Sequence, residues 1–242
     1  MIEKNKIKVL GSGSSGNCYL IYDSKGQCLI LEAGIGFKQL KIGLGFKFDN
    51  VVGCITSHIH SDHTDKRTTP ALIRMGITVY SNKEVKDYYP QVKLAKKGRK
   101  IGDFTIYPFP LEHNAENFGY IIKFDEQKIC FATDCTSIPY HFKEGKITQF
   151  LVEANYSDGC IINNYCDNKF GQSSFSNHHS LESCLGFLVN NFDGNCENIC
   201  LIHLSDSNSD SKLFVDAVKD RLSFQNVTYA QKGLEIDLTN KF

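Results

Sequence analysis

The chain has 242 residues, and its 27 lysine and arginine residues are balanced by 27 aspartate and glutamate residues. A formal charge of zero excludes the overall basic character by which many nucleic-acid-binding proteins hold a polyanion. A polyanionic ligand would therefore have to be held by a local patch or by metal ions. With 41% hydrophobic residues, the chain is long enough to bury a large core within one compact domain.

The first residues of the chain and its ten cysteines bear on the cellular compartment in which the protein is expected. Residues 1–8 contain no hydrophobic signal segment, and no run approaches the roughly 18 apolar residues of a membrane span. Several cysteines lie inside apolar runs, as small core residues do in a reducing compartment. Two close pairs, Cys160/Cys166 and Cys196/Cys200, lack the ligand spacing of a structural zinc site. We expect a cytoplasmic protein without a membrane attachment.

In chain order, the first half alternates short strands with turns and helices. The sequence predicts strands at 7–10, 18–22 and 28–31, a helix at 37–44, a strand at 51–56, a helix at 68–75, a strand at 78–80 and a helix from about residue 83. The part that follows residue 51 has the βαβ character of a sheet with outer helices.

The second half continues with strands at 104–109, 119–124, 128–133 and 150–153, a helix at 180–190 capped by Ser180, a strand at 198–203, a helix at 214–222 and strand material at 227–238. Residues 155–177 are polar and predict a long surface loop near the site. The whole order predicts an α/β protein with two mainly antiparallel sheets and helices outside them.

A glycine-rich run from Gly11 to Gly16 matches the G-x-G-x-x-G pattern of dinucleotide-binding folds. In those folds a helix follows the run and offers its N-terminus to a pyrophosphate. Here a strand pattern follows, at 18–22. The run therefore predicts a tight hairpin whose backbone lies near the active site.

Three histidines and one aspartate occupy six positions directly after the apolar strand at 51–56. On a turn at the end of a buried strand, the alternating His58 and His60 can converge on one cation. Asp62 and His63 point around the bend toward a second one. This spacing indicates a hydrolase site for two metal ions.

Three more metal-binding side chains follow apolar strands, namely His113, Asp134 and His203. Strand ends that are distant in sequence meet at one edge of a sheet. We therefore expect these three side chains to join the histidine cluster.

The pattern His58-x-His60-x-Asp62-His63, followed by His113, Asp134 and His203, resembles the motifs of the metallo-β-lactamase superfamily over almost the whole chain. The resemblance implies one domain over residues 1–242 with an αββα four-layer sandwich. It implies that the first metal is bound by His58, His60 and His113, that the second is bound by Asp62, His63 and His203, and that Asp134 bridges them.

Segments 9–17, 151–155 and 202–205 are similar to the YycJ (WalJ)-type proteins, a branch related to RNase Z and described as DNA exonucleases. Two positions depart from these patterns. Glu32 stands where the superfamily usually has aspartate, although it could still hydrogen-bond a ligand histidine. Tyr156 stands where the branch has histidine.

The RNase Z-like members are also similar in placing a glutamate on one strand and a histidine at the start of the next helix. Glu153 and His178 match that pair, with His179 as the alternative. A carboxylate that holds an imidazole suits the ring to protonate a leaving alkoxide. The alternative is that His178 and His179 have no catalytic role and only flank the start of the helix. The residues assigned to catalysis are Asp62, Glu153 and His178, whereas His141 is expected to be structural or exposed.

We expect a dinuclear metal-dependent phosphodiesterase. The leading hypothesis is a nuclease that resembles DNA exonucleases. Hydrolysis of a small phosphodiester such as a cyclic nucleotide is the alternative, and a non-catalytic metal-binding interaction protein is the third hypothesis. Two divalent ions are expected, Zn²⁺ first and Mn²⁺ or Fe²⁺ as alternatives. The expected partner is a nucleic acid or nucleotide phosphodiester, without a membrane, and a homodimer is left open.

One basic cluster could guide a phosphate backbone or form a solvated turn. Its residues are Lys93, Lys96, Lys97, Arg99 and Lys100. The spacing between Asp134 and His203 leaves no room for a large inserted domain, and no long Gly/Pro-rich arm is evident. Both observations argue against processing of tRNA.

Overall fold

The computed structural model of the protein describes residues 4–157 and 177–239, in which two seven-stranded sheets are formed. The first sheet comes from residues 6–94 and the last strand. Its strands are β1 (Lys6–Gly11), β2 (Cys18–Tyr22), β3 (Cys28–Leu31), β4 (Val51–Ile55), β5 (Val79–Ser81), β6 (Lys93–Leu94) and β14 (Glu235–Asp237). They lie in the order β14-β1-β2-β3-β4-β5-β6.

The second sheet contains the intervening strands. They are β7 (Arg99–Ile101), β8 (Phe104–Leu111), β9 (Asn117–Phe124), β10 (Gln127–Ala132), β11 (Gln149–Glu153), β12 (Asn198–Ile202) and β13 (Val227–Tyr229), in the order β13-β12-β11-β10-β9-β8-β7. The two edge strands β6 and β7 were not predicted. Both are short and contain residues of the basic cluster, whose five side chains are all exposed.

The prediction of two mainly antiparallel sheets is wrong, because half of the strand pairs in each sheet are parallel. In the first sheet the pairs from β14 to β3 are antiparallel, and those from β3 to β6 are parallel. In the second sheet the pairs from β7 to β10 are antiparallel, and those from β10 to β13 are parallel. Parallel strands need a connection that carries the chain back to the same end of the sheet. In five of the six parallel pairs this connection contains an α-helix, and between β10 and β11 it contains a 3-10 turn.

Five α-helices are described, and each lies in the connection between two parallel strands. They are α1 (Phe37–Gly43), α2 (Thr68–Arg74), α3 (Lys83–Tyr88), α4 (Leu181–Asn191) and α5 (Ser211–Leu222); a 3-10 turn occupies Lys143–Gly145. The predicted cap of α4 is confirmed, since Ser180 Oγ accepts a hydrogen bond from the amide of Ser183. Helix α5 begins earlier than predicted because Asp210 caps it by accepting from the Leu213 amide.

Apolar side chains fill both faces of the sheets. In β2, Tyr19 and Ile21 point into the core between the sheets, whereas Cys18 and Leu20 face the helices α1 to α3. Tyr19 meets Phe131 of the second sheet edge-on, with ring centroids 5.9 Å apart. A third cluster fills the space beneath α4 and α5. This arrangement is the predicted four-layer αββα sandwich, and burial of each large side chain contributes roughly 1.5–3 kcal/mol.

The parallel strands bring polar side chains from distant parts of the chain to one edge. Strands β10, β11 and β12 are parallel neighbours, so Asp134, Glu153 and His203 lie at the same end of the second sheet. The histidine cluster follows the end of β4 in the facing sheet. Within residues 4–157 and 177–239, no helix has the length and apolar character needed to cross a membrane. Of the loop predicted at 155–177, residues 158–176 lie outside the part of the chain that the structure describes, and so do Cys160 and Cys166.

Candidate metal centre

The turn after β4 is held in a compact form by main-chain hydrogen bonds. The carbonyl of His60 accepts from the amides of His63 and Thr64 at 3.0 and 2.7 Å. The hydroxyl of Thr64 donates to the carbonyl of His58 at 2.6 Å. These bonds fold six residues around one point, so that imidazoles close in sequence face in two directions.

One group of donor atoms is formed by three imidazoles and a carboxylate, those of His58, His60, His113 and Asp134. Nδ1 of His60 lies 3.0 Å from Nε2 of His58 and 3.3 Å from Nε2 of His113. Oδ2 of Asp134 lies 3.7 Å from Nε2 of His58. The structure thus brings together the residues predicted for the first metal.

The second group consists of Asp62, His63, Asp134 and His203. Nε2 of His63 lies 3.2 Å from Oδ2 of Asp62 and 3.3 Å from Oδ2 of Asp134. Nε2 of His203 lies 3.4 Å from Oδ2 of Asp62 and 3.6 Å from Oδ1 of Asp134. Asp134 belongs to both groups, which is the position predicted for a bridging ligand.

The spacing of these atoms fits a small divalent ion. Ligands at about 2.0–2.1 Å from zinc in a tetrahedron are about 3.3 Å from one another. The closest contacts within the two groups range from 3.0 to 3.7 Å. Imidazole nitrogens and carboxylate oxygens are also the donors that zinc, manganese and iron accept. The seven side chains could therefore hold two metal ions.

The centre concentrates negative charge. Its carboxylates are those of Glu32, Asp62, Asp134 and Glu153, and in the described part of the chain none of them pairs with lysine or arginine. Burial alone would lower the pKa of His203, but Asp134 and hydrogen bonds to Asp62 and Glu153 raise this pKa to about 10. The surroundings therefore favour positive charge, which protons or metal cations can supply.

Glu153 and His178 form a hydrogen-bonded pair beside both groups. Nδ1 of His178 lies 2.7 Å from Oε1 of the fully buried Glu153. The ring of His178 stacks on His203 at a centroid distance of 5.2 Å and lies 6.4 Å from the ring of His113. Burial would lower the pKa of His178, but the hydrogen bond and charge of Glu153 raise it. Glu153 is the last residue of β11 and His178 lies three residues before α4, while the catalytic role of the pair stays a prediction.

His179 has a different environment from its neighbour. Its side chain is 1% exposed, its amide donates to Oε2 of Glu153 and its Nδ1 lies 3.2 Å from the carbonyl of Glu153. Burial lowers its pKa. His141 is exposed, as expected, and belongs to none of the donor groups.

A scan of the sequence against protein-family models finds no match, and a search among curated proteins finds no relative. Solved structures, however, are similar over nearly the whole chain. The metallo-β-lactamase fold protein YhfI from Bacillus subtilis has a TM-score of 0.75 and 16% identity, and the match covers 97% of this chain and 100% of that one. The chain has the metallo-β-lactamase fold.

Two other solved structures are also similar to this chain over nearly its whole length. The short form of human tRNase Z has a TM-score of 0.66 and 15% identity, over 97% of this chain and 99% of that one. Zn²⁺-bound PqqB from Methylobacterium extorquens has a TM-score of 0.67 and 12% identity, over 96% and 100%. The predicted fold class is confirmed, whereas the YycJ-type branch stays a prediction.

Glu32, which departs from the usual aspartate, lies behind the second group. Its Oε1 accepts a hydrogen bond from the amide of Ser57 at 3.0 Å, and its Oε2 lies 3.6 Å from Nδ1 of His63. The hydroxyl of Ser57 lies 2.9 Å from Nδ1 of His58. The far nitrogens of two candidate ligands are therefore faced by Glu32 and Ser57, which matches the support that metal-bound histidines receive.

Tyr156, the second departure, is buried and belongs to the frame of the site. It forms a bridge with Ser180, and its carbonyl accepts a hydrogen bond from the amide of Leu181 at 2.7 Å. The residue thus ties the end of β11 to the start of α4. This connection fixes His178 and His179 relative to Glu153.

The glycine-rich run is a hairpin next to the site, as predicted. The hydroxyl of Ser12 accepts from the amide of His203 at 2.9 Å. Gly16 has a φ of 133°, and a Cβ there would collide with the carbonyl of Gly34. A Cβ on Gly34 would in turn collide with the carbonyl of Asp62. Close approach of three chain segments at the second group requires these glycines.

Several buried asparagines at the centre were not assigned a role from the sequence. Each stands within two residues of a strand end and donates from its side chain to the main chain of a segment that carries candidate ligands; they are Asn17, Asn82, Asn117 and Asn155. An asparagine next to an apolar strand was the only available signal. It is a weak one, because asparagine is common in turns.

Proposed function

We propose that the protein is a dinuclear metal-dependent hydrolase that cleaves phosphodiester bonds, with nucleic acid as its substrate. The observation that carries this proposal is the contact of 2.7 Å between Glu153 and His178, made beside the two groups of candidate ligands. The metals alone do not select a substrate, because several kinds of hydrolysis can use them. A proton donor for a leaving alkoxide narrows the choice of substrate toward phosphodiesters.

When bound, two divalent ions lower the pKa of water and stabilise negative charge on phosphoryl oxygens. The first ion is assigned to His58, His60 and His113, the second to Asp62, His63 and His203, and Asp134 is assigned to both. Zinc is the first choice, with manganese or iron as alternatives, since His/Asp sites accept all three.

His178 is assigned the role of the proton donor. Its Nδ1 is engaged by Glu153, so Nε2 is the nitrogen that can deliver a proton to the leaving alkoxide. Burial would lower the pKa of His178, but the hydrogen bond that His178 donates to Glu153 raises it, which favours the protonated ring that a proton donor needs. The burial of His179 favours His178 as the donor of the two.

Nucleic acid is preferred over a small phosphodiester because of the similarity to YycJ-type proteins and because of the exposed basic cluster at β6 and β7. One of the structural neighbours, human tRNase Z, is named for a nucleic acid. A cyclic nucleotide remains the second candidate, since the formal charge of the chain is zero. The homodimer stays a prediction.

The test is an activity panel with purified protein supplemented with Zn²⁺ or Mn²⁺. The substrates are bis-p-nitrophenyl phosphate, cyclic mononucleotides, DNA and RNA oligonucleotides, and a β-lactam. Cleavage of oligonucleotides is expected, and it should be lost on chelation. If DNA and RNA stayed intact while cyclic nucleotides turned over, the second candidate would replace the first. If the protein bound metal but cleaved none of the phosphodiesters, the result would support a non-catalytic metal-binding protein.

A further inference from the structure

The amides of Asn17, Asn82, Asn117 and Asn155 connect the segments that carry the candidate metal ligands. All four side chains are buried, with exposed fractions between 0% and 3%. We propose that these asparagines are positioning residues, which hold the ligand-bearing segments in their binding arrangement before any metal arrives. The inference rests on the proposed metal centre and adds to it a preformed, metal-independent frame.

Asn82 connects the histidine turn with the loop of His113. Its Nδ2 donates to the carbonyl of Ser57, next to His58, at 3.0 Å, and also to the carbonyl of Glu116. Its Oδ1 accepts from the amide of Val85 and so caps α3. One side chain therefore fixes two ligand segments of the first group against a helix.

Asn117 connects the same loop with Asp134, the residue assigned to both metals. Its Nδ2 donates to the carbonyls of Thr133 and Asp134 at 2.9 and 2.7 Å. Asp134 has a φ of 51°, in the left-handed region, which costs a residue with a side chain about 1–3 kcal/mol. The hydrogen bond to its carbonyl stabilises the conformation that directs the Asp134 side chain into both groups.

Asn155 acts on His203 in the same way. Its Nδ2 donates to the carbonyl of His203 at 2.8 Å, and His203 has a φ of 54°. The amide of His203 donates to Ser12, so the backbone of this strained residue is held on both sides. Asp134 and His203, the two candidate ligands with a left-handed backbone, thus each accept a hydrogen bond from an asparagine side chain at the main-chain carbonyl.

Asn17 closes the frame at the glycine hairpin. Its Oδ1 accepts from the amide of Gly13 at 2.9 Å, and its Nδ2 donates to the carbonyls of Gly13 and Asp62 at 3.1 and 3.2 Å. Its main-chain amide also donates to Asp62, at 2.7 Å. The hairpin that reaches His203 through Ser12 is thereby joined to the turn that carries Asp62.

These contacts lead from one candidate ligand segment to the next around the centre. A buried hydrogen bond contributes about 0.5–1.5 kcal/mol, and leaving its partner unpaired costs about 1–3 kcal/mol. The frame is therefore stable without an ion. A site that is already ordered spends none of the metal-binding free energy on arranging its ligands.

The variants Asn117→Ala and Asn155→Ala test the proposal. Co²⁺ is added to the metal-free proteins, and its absorption spectrum and affinity are measured. Removal of groups that orient metal ligands typically weakens binding by about 10- to 100-fold, and we expect losses in that range together with an altered Co²⁺ spectrum. The matched control is Asn191→Ala, since Asn191 is 1% exposed and its amide likewise donates to two carbonyls, those of Tyr140 and Phe187, outside the donor groups.

The control variant should lose stability but keep the spectrum and affinity for Co²⁺. If Asn117→Ala and Asn155→Ala bound Co²⁺ as the wild type does, the frame would be refuted while the proposed function stood. A wild-type protein that gave no Co²⁺ spectrum would refute both.

Hydrogen exchange of the wild-type protein gives a second test that needs no variant. The amides of Phe118 and Ser205 donate to the carbonyls of Ser57 and Asn155, at the edges of the frame. We expect chelation to lower their protection by no more than about 100-fold, the factor by which a metal at 100 times its Kd stabilises the folded state as a whole. If chelation instead brought both amides close to the exchange rate of an unfolded chain, the metal and not the asparagines would order the site.

Discussion

The imidazole of His178 stacks on the imidazole of His203, with centroids 5.2 Å apart and an angle of 18° between the ring planes. Glu153 stands behind both rings, since its Oε1 lies 2.7 Å from Nδ1 of His178 and 3.3 Å from Nδ1 of His203. One buried carboxylate therefore orients the assigned proton donor and a candidate metal ligand together. This arrangement ties the position of the donor to that of the second metal group.

Replacement of His178 by alanine should separate proton donation from metal binding. We expect kcat for an oligonucleotide to fall by about 10²–10⁴-fold, because the leaving alkoxide loses its proton source. Turnover of bis-p-nitrophenyl phosphate should fall much less, since p-nitrophenolate leaves without protonation. His141→Ala, at an exposed position, is the control. Equal losses on both substrates would contradict the assigned role.

Chelation should lower the thermal stability of the metal-loaded protein. A ligand present at 100 times its Kd stabilises the folded state by about 2.7 kcal/mol. For a chain of this size that corresponds to a decrease in Tm of about 5–10 °C when the metal is removed. Differential scanning calorimetry with and without chelator measures it. In Asp134→Ala, which lacks the carboxylate shared by both groups, chelation should change Tm far less.

Glu32→Ala should destabilise the protein and weaken the second metal group. The amide of Ser57 would lose its acceptor in a buried environment, at a cost of about 1–3 kcal/mol in the free energy of unfolding. Nδ1 of His63 would also lose its facing carboxylate. Urea unfolding and metal titration measure the two effects. The exposed Glu126→Ala serves as a control, and a Glu32→Ala protein with unchanged metal affinity would argue against a supporting role.

Gly34→Ala should disrupt the site, whereas Gly36→Ala should not. A Cβ at position 34 collides with the main-chain carbonyl of Asp62, and overpacking of this kind costs about 1–3 kcal/mol or more. A Cβ at position 36 meets no atom within 4 Å. Unfolding curves and Co²⁺ titrations of the two variants would be compared. Similar behaviour of both would show that the segments at Gly34 can separate without consequence.

Much of the fold follows from local pattern. Short continuous apolar runs predicted most of the strands, because a strand buried on both faces is apolar throughout, as in Cys28–Leu31. Ser180 predicted the start of a helix, because its hydroxyl accepts from a main-chain amide in the first turn. The short edge strands Lys93–Leu94 and Arg99–Ile101 escaped prediction, since pairing with a neighbour and not apolar character makes them strands.

The direction of the strands also escaped prediction. Whether two strands run parallel depends on the path of the connection between them, and a periodicity within each strand carries no information on that path. The helix between Cys28–Leu31 and Val51–Ile55 was predicted, yet the parallel pairing that it produces was not inferred.

By itself, the sequence determined which side chains could bind metal, because the spacing of His58, His60, Asp62 and His63 is a local property of one turn. Only the tertiary structure decided how Asp134 is shared between two groups and that Glu153 faces both His178 and His203. The same holds for Asn117 and its hydrogen bond to the carbonyl of Asp134. These relations join residues on different strands, and such distances are set by strand pairing and packing.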